Sequence, residues 1–304
     1  MEIVDGQLHA NQFGPNWKTV GLEATLLATI IAMDAVGVKA AVLDEYVGQD
    51  KNFNMLPGHY EANGAYRPER PFSELAMRTY PDRFAWVSRV DPRDPEVKDV
   101  VAALRLQPGC IGLRVHAGFD GAVWRDELWE TGGYNELFEA CEINQVPISI
   151  MIAPRPETLK PYLERFPALP FIIDHIGVTW PAIDATPTER YRGLDPVRAM
   201  ADYPNAYLKW AHIERLAAEP YPYLDAASHF RKVVDAYGAE RVLWASDHTQ
   251  AKKEGLSPHP APYSHSLHYI LDSNLFSSAE KEWLLGKATR TVHSWHAPKT
   301  TSES

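Results

Sequence analysis

Ile3-Val4-Asp5-Gly6-Gln7-Leu8-His9 opens the chain with two β-formers that run straight into an Asp-x-Gln-x-His alternation. Side chains of a strand alternate between its two faces, so Asp5, Gln7 and His9 point the same way. A polar row at the end of an otherwise buried strand has no packing reason to exist. It reads as one wall of an active site.

The same grammar, a short apolar run ending in polar residues, recurs outward from this segment. Strand candidates fall at 3–9, 40–45, 84–90, 111–116, 146–151, 171–175, 206–210 and 242–246. Helix-period stretches separate them. Leu22, Leu26, Leu27, Ile30 and Met33 keep helical spacing up to Gly37. Others cover 94–105, 134–144, 157–165, 195–202, 226–237 and 277–295, the last beginning with a capping-box spelling at Ser277 and Glu280. Parallel β-α units follow from this alternation, and eight of them close a (β/α)8 barrel. An open doubly wound sheet is the alternative, weakened because no Gly-x-Gly-x-x-Gly follows any strand. The expectation is therefore an α/β chain with one TIM-like barrel over 1–297 and a flexible tail over 298–304. Two connections, 46–71 and 248–266, are long and follow strands two and eight. Excursions of that length serve as lids or substrate walls.

Composition excludes several classes of function. With 304 residues and 45% hydrophobic content, including 9 Trp and 14 Tyr, the chain can build a large core and a well-lined pocket. Its formal net charge of -10, with no Lys/Arg cluster, argues against nucleic acid or an anionic membrane as partner. Cys110 and Cys141 alone supply neither a disulfide framework nor a zinc spacing. The apolar run over 22–42 is broken by Asp34, Gly37 and Lys39 and is no membrane span. Met1 is followed at once by an acidic residue and a strand, so a cytoplasmic location is expected. Nothing in the composition opposes a homo-oligomer.

In a barrel, polar groups at the C-terminal ends of the strands converge on one mouth. Here those ends carry Gln7 and His9, then Ser88-Arg89-Val90-Asp91, then Arg114 and His116. Further along come Asp174 and His175, Lys209 and His212, and finally Asp247 and His248. Taken one at a time, a histidine or aspartate at a strand end is an ordinary cap or satisfied core group, and His116, His212 and His248 stay in that class. Lys209 can snorkel or pair with a carboxylate. Arg114 can clamp a substrate carboxylate through its planar fork, or form a salt bridge at the rim. Among the loop aromatics, Trp17, Tyr46, Tyr60, Tyr66, Trp124, Trp129, Trp180 and Tyr263, a subset facing the mouth would suit a planar ring.

Several of these pieces together resemble the amidohydrolase superfamily, in its branch of lactonases and nonoxidative decarboxylases. The matching segments are Val4-Asp5-Gly6-Gln7-Leu8-His9, Gly112-Leu113-Arg114, Phe171-Ile172-Ile173-Asp174-His175-Ile176-Gly177, Tyr207-Leu208-Lys209 and Val242-Leu243-Trp244-Ala245-Ser246-Asp247. They span residues 3 to 247 in the family's order, and the general look is similar to the pyrone-dicarboxylate lactonases and related lactone hydrolases. Metal-dependent members hold Zn²⁺ or a similar ion through two strand-one histidines, a strand-five histidine and the strand-eight aspartate. Gln7 takes the place of the first and Met151 falls near the third. An amide oxygen is a poor zinc ligand and a thioether a worse one. His9, Asp247 and His175 remain as candidate ligands for a single divalent ion, while the resemblance to the pyrone lactonases implies a site with no metal. The metal-free form is the expectation.

Without a metal, Asp247 is the candidate base for water, and His9 and His175 stabilise the oxyanion. Gln7, Arg114, Lys209 and Trp180 contact a small cyclic, carboxylated substrate. The implied role is hydrolysis of such a lactone in the catabolism of aromatic or sugar acids. Metal-dependent decarboxylation of a hydroxylated aromatic acid is the alternative. A non-catalytic binding barrel is a third reading, disfavoured by the retention of His9, His175, Asp247 and Arg114.

Overall fold

Eight parallel strands form one sheet in chain order: β1 (Val4–Leu8), β2 (Ala40–Asp44), β3 (Phe84–Arg89), β4 (Cys110–His116), β5 (Ile148–Met151), β6 (Phe171–Ile173), β7 (Ala206–Trp210) and β8 (Val242–Trp244). Each lies within a stretch expected from the apolar runs, or within a residue of it. The computed structural model describes residues 1–9, 20–45, 58–117, 119, 120, 123, 124, 127–178, 180–182, 184–248, 259 and 261–296.

Helices connect successive strands and make the fold a nearly closed TIM-like barrel. They are α1 (Leu22–Val36), α2 (Pro71–Thr79), α3 (Val97–Arg105), α4 (Asn135–Ile143), α5 (Lys160–Arg165), α6 (Leu194–Ala199), α7 (Leu224–Tyr237) and α8 (Tyr263–Leu271). Gly37 ends α1 at φ 83, a left-handed stop that glycine adopts at little cost. No local sequence signal marks α2, and the structure shows why. Its N-terminal N–H groups at Phe72 and Ser73 donate to the buried carboxylate of Glu45, at 3.0 and 2.9 Å. That cap comes from the end of β2, so no local spelling announces it. The last helical stretch, expected as one helix over 277–295, is Ser278–Glu282, a π-turn over Trp283–Lys287, and Ala288–Val292. Its predicted capping box is present, with Ser277 and Glu280 bonded reciprocally.

Closure of the barrel between β1 and β8 rests on few bonds. The Asp247 N–H donates to the Gln7 carbonyl at 3.2 Å. The carboxylate of Asp5 accepts the Ser246 N–H at 2.9 Å, the Gln7 N–H at 3.1 Å and the Tyr263 hydroxyl at 2.8 Å. A Cβ at position 6 would come 2.8 Å from the Trp244 carbonyl oxygen, so this seam requires Gly6. Asp5 therefore stitches the barrel shut and does not line the mouth, which corrects the reading of the first strand as a uniform catalytic wall. Alternation alone cannot separate the two tasks, because the strand's pairing with β2 slips between Asp5 and Leu8.

After β2, the described part of the long connection holds an antiparallel hairpin, Gly58–Tyr60 with Tyr66–Pro68. Arg67 ties it to Asp94 and Glu96, each at 2.9 Å. Trp17, Tyr46, the rest of that connection, the side chain of Trp124, most of the connection after β8 and the tail over 298–304 lie outside the described residues. Trp129 is packed in the core beside Tyr134, Phe138 and Tyr162. Among the described residues, no helix is long and apolar enough to cross a membrane.

Candidate active site

The strand ends meet in a closely bonded set of buried polar side chains at the mouth. Around the ring, Asp44 ends β2, Arg89 ends β3, Arg114 lies on β4, and Asp174 and His175 follow β6. Lys209 lies on β7, with His212 and Glu214 just beyond it, and Asp247 follows β8. Asp44 binds Arg89 at 2.9 Å and also Arg114. Arg114 continues to Asp174 and donates to Nε2 of His175 at 2.9 Å. Lys209 donates to Asp174 at 2.8 Å, to Gln7 Oε1 at 3.0 Å and to Ser149 Oγ at 3.3 Å. Four carboxylates thus face the cations Arg89, Arg114, Lys209 and a protonated His212. Buried charges of this kind are tolerated only when paired and hydrogen-bonded.

Asp247 sits at the centre of the second half of the ring. Its Oδ2 accepts from His212 Nε2 at 2.9 Å and lies 3.6 Å from His175 Nε2. Its Oδ1 is 3.0 Å from His9 Nε2, in a contact that lacks hydrogen-bond geometry. The His9 ring is fixed from behind, where Nδ1 lies 2.7 Å from the Asp44 carbonyl oxygen. A carbonyl only accepts, so Nδ1 carries a proton. Lys209 occupies the Gln7 amide oxygen, which turns the Gln7 N–H₂ toward His9 Nε2 at 3.3 Å. His9 Nε2 thus stands between the Gln7 amide and Asp247 Oδ1.

Backbone strain marks the same residues. His175 (φ 51), Ile176 (φ 65), His212 (φ 61) and Asp247 (φ 39) all adopt the left-handed region that non-glycine residues avoid. Each such residue costs on the order of 1–3 kcal/mol and persists where the surroundings over-determine it. Three strand ends leaving the barrel by this bend aim His175, His212 and Asp247 at one point.

Burial and neighbours set the protonation states. Burial alone would raise the Asp247 carboxyl, but His9 and His212 outweigh it and hold the group well below the usual carboxylate range. Asp44 and Asp174 are likewise held low against burial, by Arg89 with Arg114 and by Arg114 with Lys209. Burial would also lower His212, yet Asp247 and Glu214 on its two nitrogens push it up to about 9, so it is an imidazolium at neutral pH. His175 is the opposite case. Burial takes it down to about 3, and as its Nε2 accepts from Arg114, its proton is on Nδ1. That Nδ1 has no hydrogen-bond partner among the described residues.

The expected site residues are thus mostly brought together, but with altered tasks. His9, His175 and Asp247 form the central cluster, and Gln7 lies beside them. Of the two readings of Arg114, the geometry is that of the salt bridge: it is buried, and Asp44, Asp174 and His175 take up its guanidinium. The three partners of Lys209 lie inside the barrel, which makes it a holder of Gln7 and Asp174 and leaves burial to lower its pKa. Trp180 stands at the rim, edge-on to His212 with ring centroids 5.3 Å apart, and the Arg215 guanidinium lies over it at 4.4 Å. Asp44, Glu214 and Arg215 are additions to the expected set, and His212, expected to be an ordinary cap or core group, is the contact that fixes Asp247. The available signal was position: each lies at or just beyond a strand end.

His175, His212 and Asp247 also meet a metal site's spacing, with one ligand atom from each lying within 4.8 Å of the others. The strand-one and strand-five positions add little to it. Gln7 presents its amide N–H₂, and Met151 shares the inward face of β5 with Ser149, whose hydroxyl reaches Lys209. An ion at this point would have to displace the proton His212 holds.

The family profile described as amidohydrolase matches residues 4–292, and the chain belongs to that family, whose members are enzymes. A search of the curated proteins found no match. Among solved structures, a zinc-bound amidohydrolase from Burkholderia multivorans superposes with a TM-score of 0.67 at 17% identity, over 97% of this chain and 99% of that one. A probable 2-pyrone-4,6-dicarboxylic acid hydrolase from Acinetobacter baumannii, with citric acid bound, gives 0.67 at 16% identity, over 97% and 100%. The 5-carboxyvanillate decarboxylase of Novosphingobium aromaticivorans, complexed with manganese and a nitrobenzoic acid, gives 0.57 at 16%, over 96% of each chain. At these identities the likeness speaks for the barrel fold.

Proposed function

We propose that the chain hydrolyses a carboxylated lactone or related cyclic ester, with Asp247 activating the water and no metal obligatory. The observation that carries this reading is Asp247 Oδ1, a buried carboxylate oxygen with no hydrogen bond among the described residues, 3.0 Å from His9 Nε2. A carboxylate oxygen so placed can accept a hydrogen bond from the attacking water. His212 holds Oδ2 of the same carboxylate and so fixes its orientation.

In the reaction, Asp247 takes a proton from the water as its oxygen attacks the ester carbonyl carbon. The carbonyl π electrons move to oxygen, and that oxyanion is met by the His175 Nδ1–H, with the His212 imidazolium, whose two N–H groups stay on Asp247 and Glu214, adding only its positive charge. Collapse re-forms the carbonyl and breaks the ring C–O bond. Asp247 returns its proton to the departing ring oxygen, and the product is an open-chain hydroxy acid. Its cationic neighbours make Asp247 a weak base, so it holds the proton only while the tetrahedral species lasts. Arg215, whose guanidinium lies over Trp180, would take the substrate carboxylate, since Arg114 is held by Asp44, Asp174 and His175. A divalent ion held by His175, His212 and Asp247, when bound, would supply Lewis-acid polarisation and a more acidic water.

That three-residue cluster favours one second reading, metal-dependent decarboxylation of a hydroxylated aromatic acid. A panel of lactones and hydroxylated aromatic acids at neutral pH, with and without Zn²⁺ or Mn²⁺, separates the two. Ring opening that survives chelation is expected. Release of CO₂ that requires the added ion would replace the hydrolase reading with the other.

A further inference from the structure

On the outer wall of the barrel, a pocket of about 620 Å³ lies between the short helix Pro187–Tyr191, α6 and α7. No barrel strand and no residue of the catalytic cluster lines it. Its size falls in the range of small-molecule sites. Three of its charges are already satisfied. Arg198 pairs with Asp195, and Asp225 accepts the Tyr191 hydroxyl and, at 2.7 Å, the Ala218 N–H.

Arg192 and Lys232 differ. Both line the pocket, and among the described residues neither makes a hydrogen bond or ion pair. In a chain with 40 acidic and 30 basic residues, a concavity lined by Arg192, Arg198 and Lys232 against Asp195 and Asp225 is a local reversal of the overall charge. The same pocket has a flat wall, the His229 imidazole stacked on Tyr191 with ring centroids 3.9 Å apart and planes 11° apart. Burial lowers the pKa of His229, with Lys232 and Arg198 adding to it against Asp225 and Asp195.

We propose that this pocket is a second binding site, for a small planar organic anion of the aromatic-carboxylate class, with Arg192 and Lys232 on its carboxylate and His229 against its ring. The pocket's two functions are separable: charge from Arg192 and Lys232, flatness from His229.

Calorimetric titration of the full chain with benzoate, and with inorganic phosphate as an anion lacking a ring, tests both. Benzoate affinity at this site is expected to fall about tenfold or more in the Arg192→Ala/Lys232→Ala double variant, with the catalytic rate unchanged. Arg192→Lys should retain it. Phosphate should bind more weakly than benzoate, and His229→Ala should remove that preference. Two results would overturn the proposal: benzoate titrations that are the same in the double variant and the parent, or phosphate bound as well as benzoate in the parent. Both alanine sites are exposed, and an unchanged unfolding transition checks that the double variant is folded.

Discussion

Asp5 and Asp247 are both buried aspartates, on the two neighbouring strands that close the barrel, yet their surroundings drive them in opposite directions. Asp5 at the seam is surrounded by neutral donors, two backbone N–H groups and the Tyr263 hydroxyl, and burial pushes its carboxyl up to about 6. Asp247 at the mouth is as deeply buried, but His9 and His212 keep it ionised well below the usual range. Loss of hydration is common to both, so the sign of the shift is decided by whether the neighbours carry charge. One aspartate holds strands together. The other keeps a charged oxygen ready for chemistry.

Three measurements would break or sharpen that contrast. The largest effect is expected from Asp247→Asn, which keeps an acceptor for His212 but removes the base. Turnover should fall by roughly 10²–10⁴, while the circular dichroism spectrum stays that of the parent. A near-normal rate would remove Asp247 from its role. Next comes Arg114→Met, which strips Asp44 and Asp174 of their shared cation. Uncompensated buried charge of this kind costs about 3–5 kcal/mol, read from urea unfolding at neutral pH. A change below 1 kcal/mol or so would mean that the ring of charges at the mouth contributes little.

The smallest effect concerns the seam. The folded pKa of Asp5, about 6, lies above the ordinary 3.8, so its contribution to stability is complete below about 3.8 and is lost as pH rises through about 6. The depressed pKa values of Asp44, Asp174 and Asp247 work in the other direction, through stability lost as pH falls below about 3.8, so the two windows do not overlap. Between pH 4.5 and 6.5, the parent should lose up to about 2–3 kcal/mol relative to Asp5→Asn, as measured by urea unfolding of both. Parallel pH profiles would show that Asp5 is not shifted at the seam.

The barrel was legible because its strands are buried on both sides and appear as short apolar runs, and because each run ends in polar residues. The helix α2 was not, since Glu45 caps it from 27 and 28 residues away. At the mouth, His9, His175 and Asp247 stood out through their likeness to a known pattern, and the structure sets them together. For Arg114 and Lys209 pairing with a carboxylate was one of two readings, and only the structure shows both cations already occupied. His212 was set aside because a lone histidine at a strand end is usually structural, and only its contact with Asp247 gives it a task.

By itself, then, the sequence determined the alternation of strands and helices, the barrel and the polar composition of its mouth. These follow from periodicity and burial, which are local. Tertiary structure alone decided which charge meets which. Lys209 reaches Gln7 across 202 residues, and Ser246 reaches Asp5 across 241. A period of two fixes the face on which a side chain stands, but its partner is chosen by distances across the closed barrel. Those distances made Asp5 a stitch and Asp247 a charged acceptor, though both stand in the sequence as buried aspartates on neighbouring strands.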